Sequence, residues 1–382
     1  MRVTCLQENL SRGLSIVGRA VATRSTLPVL SNILLSAEEG RLKLVTTNLE
    51  IGVNCWIGAR IDDEGSITVP ARLLTEFVNS MPPGPIDMEL AVRTQTLHLK
   101  AGRFEANIKG IDASDFPLVP TADTLRDTAG AVHITLAADT FRSMIDQVTF
   151  AAATDESRPI LTGVLAEFES DALNLAAADG FRLSVRRETT DMGLSSPVNI
   201  IIPARALDEV SRISSGQEDP VQVIITPARN QVLFHLDSVD LVSQLIEGKF
   251  PDYDQIIPKE YATRAVVNTQ DLLKAVKVSH LFARESANSV RFHVVPGTEL
   301  TPGHMTITAT SAELGDNVGE IDASVEGNEV EIAFNAKYMI DALSATDSAE
   351  VALTTTVPTS PGVIRPADGD DYVCVIMPMH TR

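Results

Sequence analysis

The stretch Ile202-Pro203-Ala204-Arg205-Ala206-Leu207-Asp208-Glu209-Val210 recurs in diverged form along this chain. An earlier copy reads Val69-Pro70-Ala71-Arg72-Leu73-Leu74-Thr75-Glu76-Phe77, and a later one begins Phe334-Asn335-Ala336-Lys337. Pro203 follows Pro70 by 133 residues, and Asn335 follows Pro203 by 132 residues. Each copy leaves an apolar run and enters a helix at Pro or Asn, with a cation near the helix start. The nearly constant period indicates a whole domain repeated three times.

The bulk composition agrees with three globular domains. The chain has 382 residues, and a third of that length is a typical domain of roughly 100–150 residues. The three cysteines, Cys5, Cys55 and Cys374, are scattered, which suits a reducing compartment and predicts neither a disulfide framework nor a zinc site. Charged residues interrupt the first twenty positions, and no apolar run reaches the ~18 residues of a membrane span. These features predict a cytoplasmic protein.

The repeat predicts an α+β fold of three similar domains, each with two helices on antiparallel sheets. We expect the domains at residues 1–125, 129–257 and 259–382. Period-two apolar runs alternate with helical stripes in the order helix, strands, helix, strands. Leu10, Leu14 and Val17 form the first stripe. In the third repeat Leu272 and Val276 form the equivalent stripe, with Lys274 and Lys277 roughly opposite.

Motifs for catalysis, nucleotides and metals do not emerge from the sequence. The seven histidines are dispersed and the cysteine spacing matches no ligand pattern. The acidic run 368–371 is better interpreted as a solvated loop than as a cation site. There is no phosphate-binding glycine loop and no nucleophile elbow. We therefore expect a protein that is not an enzyme and that carries no metal or cofactor.

The cations on the inferred helices form the first candidate site. A net charge of −20 argues against a nucleic-acid partner unless the charge is segregated by face. A solvated helix face is the usual interpretation of such cations, but their recurrence on both helices of each repeat favours a polyanion. The cations are Arg12, Arg19, Arg72, Arg205, Arg212, Lys274, Lys277 and Lys337.

The end of the chain forms the second candidate site. The run Val375-Ile376-Met377-Pro378-Met379 suits a last core strand. Two methionines around a proline also suit an adaptable apolar surface for peptides. Both interpretations stay open at this point.

Several motifs together resemble the bacterial DNA polymerase III beta subunits, the sliding clamps, over the whole chain. They are Arg24-Ser25-Thr26-Leu27-Pro28-Val29-Leu30, Val69-Pro70-Ala71-Arg72, Asp179-Gly180-Phe181-Arg182-Leu183, Phe250-Pro251-Asp252-Tyr253 and Met377-Pro378-Met379. The resemblance implies a head-to-tail homodimer that encircles double-stranded DNA without sequence preference. It also implies a docking pocket for short peptide motifs of the DNA polymerase III catalytic subunit, the clamp loader, and other polymerases and repair proteins.

The resemblance also implies roles for individual residues. Arg24 and Arg72 would touch DNA, with Arg205 and Lys274 as weaker candidates, and Phe104 would meet the partner near Phe282. The implied peptide pocket consists of Leu161, Ala178, Gly180, Arg182, Leu183, Pro251, Ile256, Val375, Ile376, Met377, Pro378 and Met379. Phe181 stands where the family pattern usually has His, which makes the pocket rim more apolar.

Two other classes of function compete with this interpretation. One is a pure protein-interaction scaffold, built from the same three β-rich repeats but with no DNA partner. The other is a hydrolase on a repeated fold. Retention on closed circular DNA, and release when that DNA is cut, separates a ring from both.

Overall fold

The computed structural model describes residues 1–22 and 25–379, and within that range the chain forms seven α-helices and 26 strands. The first repeat holds α1 (Gln7–Val17), α2 (Ala71–Asn79), β1 (Arg2–Leu6), β2 (Asn32–Glu38), β3 (Arg41–Thr47), β4 (Ile51–Gly58), β5 (Arg60–Asp63), β6 (Gly65–Pro70), β7 (Pro85–Ala91), β8 (Thr96–Ala101) and β9 (Phe104–Lys109). A short helix follows, α3 (Ala122–Arg126).

The second and third repeats follow the same course. The second holds α4 (Ala138–Val148), α5 (Ala204–Ile213), β10 (Val132–Leu136), β11 (Gly163–Phe168), β12 (Ala172–Ala178), β13 (Arg182–Thr189), β14 (Val198–Pro203), β15 (Val221–Ile225), β16 (Gln231–Leu236) and β17 (Val239–Gln244). The third holds α6 (Thr269–Ala283), α7 (Ala336–Ser344), β18 (Thr263–Asn268), β19 (Ser289–Val295), β20 (His304–Ser311), β21 (Gly315–Asp322), β22 (Ser324–Gly327), β23 (Val330–Asn335), β24 (Glu350–Thr355), β25 (Gly362–Pro366) and β26 (Tyr372–Ile376).

The helices form where the apolar periodicity predicts them. Leu10, Leu14 and Val17 are fully buried on α1, and Leu272 and Val276 are fully buried on α6. Asn335 ends β23 and caps the start of α7, because its side-chain oxygen accepts a hydrogen bond from the Lys337 amide at 2.9 Å. The predicted α+β fold, with two helices in each repeat, is confirmed.

The predicted element order needs one correction. A strand precedes the first helix in every repeat (β1, β10 and β18), so the order is strand, helix, strands, helix, strands. These strands are only five or six residues long. Because such a short alternating run directly precedes a helical stripe, its pattern is not distinguished from the start of the helix. The expected boundary at residue 125 falls within α3. The three domain boundaries stay a prediction.

Two of the four sheets contain strands of more than one repeat. The eight-stranded sheet runs β10-β15-β16-β17-β4-β3-β2-β6, and the nine-stranded sheet runs β14-β11-β12-β13-β26-β25-β24-β18-β22. The first sheet therefore joins the first and second repeats through β4 and β17, and the second joins the second and third repeats through β13 and β26. The other sheets are β5-β1-β7-β8-β9 and β21-β20-β19-β23.

By compactness the chain divides into two units, and the second repeat contributes to both. One unit is Met1–Arg142 with Glu209–Leu245, and it holds the five- and eight-stranded sheets. The other is Ser143–Asp208 with Ile246 onward, and it holds the nine- and four-stranded sheets. In the second unit α6 and α7 cover a core that includes Phe292 and Phe334, whose ring centroids lie 5.6 Å apart.

Candidate functional site

An apolar cluster lies on one face of the sheet where β13 meets β26. We call it the pocket cluster, and its members are Leu165, Ala176, Ala178, Leu183, Val185, Ile201, Phe250, Val363, Val373 and Val375. Partly buried side chains pack around it: Ile160, Leu161, Ile246, Tyr253 and Ile257. The structure thus brings Leu161, Ala178, Leu183 and Val375 of the expected pocket into one cluster, although they lie up to about two hundred residues apart in the chain.

Strand alternation divides the remaining predicted pocket residues between two faces. In the register of β13 and β26, Leu183 lies opposite Val375, and Arg182 lies opposite Ile376. Successive side chains of a strand point to opposite faces. Leu183 and Val375 belong to the pocket cluster, whereas Ile376 is buried in the core of the third repeat. In contrast to the prediction, Ile376 therefore faces away from the pocket cluster.

Arg182 also lies on that second face, and it is fully engaged. Its guanidinium stands 4.4 Å from the Tyr338 ring centroid and 5.4 Å from that of Phe150. Its nitrogens donate to Asp179 at 3.1 Å and to Asp341 at 2.6 Å. Because both rings and both carboxylates hold this cation, it connects the second repeat to α7 rather than standing free in the pocket.

Gly180 forms the tight turn that leads into β13. Its φ of +91° belongs to the left-handed region, which glycine adopts without a steric penalty. The Asp179 carboxylate secures the turn by accepting the Phe181 and Arg182 amides at 2.8 and 3.0 Å. A Cβ at residue 180 would lie 2.9 Å from Arg158 Nη1. The left-handed backbone, rather than this movable guanidinium, is therefore what requires glycine at residue 180.

The segment after β26 is held to the rest of the unit by its backbone. The Met377 amide donates to the Phe181 carbonyl at 2.9 Å, and the Met379 amide donates to the Ala333 carbonyl at 2.8 Å. The Met377 side chain is exposed, while Pro378 and Met379 are half-buried. The methionine beside the turn of Gly180 is therefore open to solvent although its backbone is anchored.

The segment around Pro251 closes another side of the pocket cluster. Phe250 is buried in the cluster and Pro251 is exposed. The Tyr253 hydroxyl donates to the Glu167 carboxylate at 2.6 Å, and burial together with this bond raises the pKa of Tyr253. Ile256 is exposed, and its neighbour Ile257 packs against the cluster instead.

Sequence reasoning missed several members of the pocket cluster. Val185 lies two residues beyond Leu183, and Val373 lies two residues before Val375. Period-two alternation along the two strands carries the signal for both of these residues. No local pattern identifies Val363, because its place in the cluster depends on the pairing of β25 with β26.

The predicted DNA-binding cations lie on helices in the described part of the chain, except Arg24, which lies outside the described residues. Arg72, Arg205 and Lys274 are all exposed. The Arg72 side chain is 90% exposed and donates to Glu76 one turn later at 2.7 Å.

Two further cations of the inferred helices have a structural role. Arg212 Nε donates to Glu209 at 2.8 Å, and its terminal nitrogen donates to the Ile16 carbonyl at 3.3 Å. Arg19 lies 3.4 Å from the same Glu209 carboxylate. A carboxylate from the second repeat thus binds two arginines beside α1, which makes these cations poor candidates for phosphate contacts.

One strand of the first repeat and one of the third repeat each lie at the edge of a sheet, with one side unpaired. β9 is the last strand of the five-stranded sheet, and β21 is the last strand of the four-stranded sheet. Phe104 lies on β9 and is 52% exposed. Phe282 on α6 is half-buried against the core of its own repeat, and the neighbouring Leu281 is exposed.

Three other kinds of feature bear on function: free thiols, possible metal ligands and apolar helices. Cys5, Cys55 and Cys374 are buried free thiols, and burial raises the pKa of each to about 12. In the described ranges no group of three or more His, Cys, Asp or Glu could hold a metal ion. No helix in the same part of the chain has the length and apolar character to cross a membrane.

Comparison with known proteins covers nearly the whole chain. Residues 1–120, 135–252 and 254–380 match the N-terminal, central and C-terminal domains of the DNA polymerase III beta subunit. The beta sliding clamp of Bacillus subtilis strain 168 is 30% identical over 100% of both chains, and that of Staphylococcus epidermidis is 32% identical over 95% of both. The crystal structure of the Bacillus subtilis sliding clamp is similar at a TM-score of 0.91, with 30% identity over 100% of both chains. This chain therefore belongs to the DNA polymerase III beta subunit family, the bacterial sliding clamps.

Proposed function

We propose that this chain is a DNA sliding clamp, which closes around duplex DNA as a head-to-tail dimer and tethers the replicative polymerase. The observation that supports a dimer is the pairing between strands that occupy equivalent places in the three repeats. β4, β13 and β21 occupy the same place in the three repeats, as do β9, β17 and β26. Within the chain β4 pairs with β17 and β13 pairs with β26, which leaves only β21 and β9 without this partner in the described structure.

A second copy supplies the missing pairing at both ends. When β21 of one copy pairs with β9 of the next, the junction between copies has the same strand pairing as the two junctions between repeats within the chain. Such a heterologous interface generates a closed ring if the rotation closes. Two copies carry six repeats and twelve helices, which at ~10 Å between neighbouring axes form a circle about 120 Å around. That circle is about 40 Å across between helix axes, and subtracting a helix radius of about 5 Å on each side leaves a hole wider than a DNA duplex.

The DNA contacts in such a ring are few and blind to sequence. Because the ring holds DNA topologically, phosphate contacts contribute little to retention and carry no base readout. We assign these contacts to Arg24, Arg72, Arg205 and Lys274. The net charge of −20 then suits a surface that repels DNA everywhere except along the hole.

The pocket cluster is the proposed site for partner peptides. Apolar side chains of β13 and β26 form its floor, and the exposed Met377 adapts to different anchors. Pro251 and Ile256 are exposed on the adjoining segment, where a bound Leu or Phe side chain would cover them. We propose that the polymerase III catalytic subunit, the clamp loader and repair proteins bind here in turn. In this function the chain is a cytoplasmic, non-catalytic accessory subunit without a cofactor.

The experiment follows a loaded protein on DNA of two topologies. The wild-type protein is loaded onto nicked circular duplex and separated from free protein by gel filtration. We expect co-elution with circular DNA and loss after linearisation with a restriction enzyme. Retention on linear DNA, or a monomer mass at micromolar concentration, would overturn the proposed function.

A substitution at Phe104 tests the interface separately. Burying a Phe side chain contributes about 1.5–3 kcal/mol, and each ring has two interfaces. Phe104→Ala should therefore shift the dimer dissociation constant by at least tenfold in sedimentation equilibrium. Val92→Ala is a matched control, since Val92 is exposed in the same repeat but lies outside β9.

A further inference from the structure

Each of the two sheets that join repeats within the chain carries a matching row of side chains across five strands. On the eight-stranded sheet the row crosses β10, β15, β16, β17 and β4, and its members are His133, Ile224, Leu233, Val242 and Gly52. On the nine-stranded sheet the row crosses β18, β24, β25, β26 and β13, and its members are Arg264, Thr354, Val363, Val375 and Leu183. The last three of these belong to the pocket cluster. The first row is therefore the counterpart of the pocket cluster in the other unit.

On the eight-stranded sheet the chain covers its own row with the short helix α3. Ala122 of α3 is buried in one cluster with Ile224, Leu233 and Val242. Leu125, three residues later on the same helix, packs against that cluster. A single turn of helix thus shields the apolar side chains of β15, β16 and β17 from water.

The charged residues of α3 also fit this face of the sheet. Arg126 donates to the Gln222 side-chain oxygen on β15 at 3.4 Å. On the neighbouring strand, the pKa of His235 is raised above all by the hydrogen bond to Asp240, and more weakly by the negative charge of Asp123 on α3. The helix therefore places a carboxylate near the His235 position.

The nine-stranded sheet has an open groove where its counterpart has α3. Between β17 and β18 the described chain forms only the 3-10 turn Tyr253–Gln255, and Ile257 then packs against the pocket cluster. From Pro258 to Tyr261 the same linker lies along one side of a groove of about 660 Å³. We call it the lateral groove. The rest of its lining is formed by Arg264, Ala352, Thr354, Val363, Arg365 and the loop 366–370.

The floor of the lateral groove carries more positive charge than its counterpart. Arg264 lies in the row where the eight-stranded sheet has His133. Arg365 lies on β25 where β16 has His235. Two imidazoles are thereby replaced by two guanidiniums, which stay protonated throughout the physiological pH range. A helix that lies here as α3 lies on the other sheet would favour an acid at the position of Asp123.

Both arginines are paired with exposed carboxylates in the single chain. Arg365 lies 3.3 Å from Asp370, whose side chain is 95% exposed, and Arg264 lies 3.6 Å from the exposed Glu326. An exposed ion pair contributes at most about 1 kcal/mol, so an incoming carboxylate can replace Asp370 with little loss. Tyr261 is 51% exposed at the rim and offers an aromatic surface to an apolar side chain.

We propose that the lateral groove binds a short acidic amphipathic helix of the same partner protein whose peptide fills the pocket cluster. Apolar side chains three residues apart, as on α3, pack between Tyr261 and Thr354, and a carboxylate of the helix pairs with Arg365. This inference rests on the proposed function, because Val363 belongs to both the pocket cluster and the lateral groove. Partners that carry such a helix beside their anchors bind more tightly than partners that carry anchors alone.

Titration calorimetry with three synthetic peptides tests the occupant. The first peptide carries Leu and Phe anchors alone, and the other two add the sequence of residues 121–127 of this chain before or after the anchors. We expect one of these orders to bind on the order of fivefold more tightly than the anchors alone, because apolar burial exceeds the cost of ordering a short helix. No gain with either order would overturn the proposal. An equal gain with Lys in place of the residue equivalent to Asp123 would also overturn it.

Two substitutions in the groove should move this gain in opposite directions. Arg365→Glu should abolish it, whereas Asp370→Asn frees Arg365 and should increase it about threefold. Arg291→Glu is the matched control, since Arg291 pairs with Glu331 at 3.1 Å on another sheet of the same unit. Equal affinity of all variants for the anchor peptide shows that each one is folded. An unchanged gain in Arg365→Glu, or its loss in Arg291→Glu, would contradict the assignment.

These outcomes separate this inference from the proposed function. If the anchor peptide binds but the added helix gives no gain, the lateral groove is wrong and the proposed function stands. If the anchor peptide does not bind, the proposed peptide site fails and the lateral groove fails with it. A lower dimer mass for Arg365→Glu in sedimentation equilibrium would assign the groove to a second copy of the chain and overturn the partner helix.

Discussion

Arg182 on β13 donates to Asp341 on α7 at 2.6 Å, although 159 residues separate them in the chain. The Arg182 side chain is only 11% exposed, and its guanidinium also contacts the rings of Phe150 and Tyr338. The strand that carries the floor of the pocket cluster is therefore fixed, through its other face, to a helix of the third repeat.

Loss of this cation should destabilise the protein strongly. Arg182→Met leaves the carboxylates of Asp179 and Asp341 without their cation. Removing one partner of a fully buried pair costs about 3–5 kcal/mol, and the 41% exposure of Asp341 makes the cost here smaller, on the order of 2 kcal/mol or more. We expect a lower denaturation midpoint in urea. Arg60→Ala is the control, because Arg60 and Asp62 form an exposed pair that contributes at most about 1 kcal/mol. Equal midpoints for the two variants would contradict the assignment.

Substitution of Gly180 should affect peptide binding more than stability. Gly180→Ala places a Cβ in a left-handed turn, which costs about 1–2 kcal/mol, and 2.9 Å from Arg158 Nη1. Gly193→Ala is a matched control, with a φ of +62° and no atom within 4 Å of the new Cβ. Calorimetric titration with a synthetic peptide that carries Leu and Phe anchors should show weaker binding for Gly180→Ala alone. Equal affinities would remove Gly180 from the pocket.

Truncation before Met379 separates a pocket from a core. Deleting residues 379–382 removes the bond from the Met379 amide to the Ala333 carbonyl but leaves β26 intact. Of this stretch, residues 380–382 lie outside the described part of the chain. We expect a folded dimer that encircles DNA but has lost affinity for the same peptide. Unfolding by circular dichroism, or full peptide affinity, would return the terminal residues to a structural role.

Loss of the cations proposed to touch DNA should change the salt dependence of binding. Each lost phosphate contact flattens the slope of log K against log salt by roughly one unit, without a sequence preference. Arg24→Ala with Arg72→Ala should therefore flatten it by about two units in titrations at several salt concentrations. Arg60→Ala, on a strand, is the control. Normal loading of the double variant on primed DNA would contradict the assignment of Arg24 and Arg72 to phosphate contacts.

His235 should make stability depend on pH. Its hydrogen bond to the buried Asp240, 2.6 Å away, raises the pKa of His235 above its usual value. A raised pKa in the folded state means that the contribution is present below about pH 6.5 and is lost as pH rises through the folded pKa. The midpoint difference between wild type and His235→Gln should thus be larger at pH 5.5 than at pH 8.5. Equal midpoint differences at the two pH values would contradict this assignment.

Local sequence pattern was sufficient for the repeat and for most of its helices. The period of 133 and 132 residues located α2, α5 and α7, and helical spacing placed Leu10 and Leu272 in the core. Both signals are local, since a helix face depends only on residues three and four apart. The exposed position of Lys274 followed from the same rule. The alternation along β26 is equally local, and it assigns Ile376 to the face opposite that of Val375.

Only the tertiary structure decided which strands and side chains meet across the repeats. The pairing of β4 with β17 and of β13 with β26 depends on register between segments far apart in sequence, which no local period contains. The same holds for side chains. Nothing in the pattern of the strand distinguishes Arg182 in an ion pair with α7 from a free cation in a pocket. The sequence by itself determined three repeats with two helices each. Long-range pairing decided which of their faces are covered within one chain and which, like the lateral groove beside Thr354, are left open.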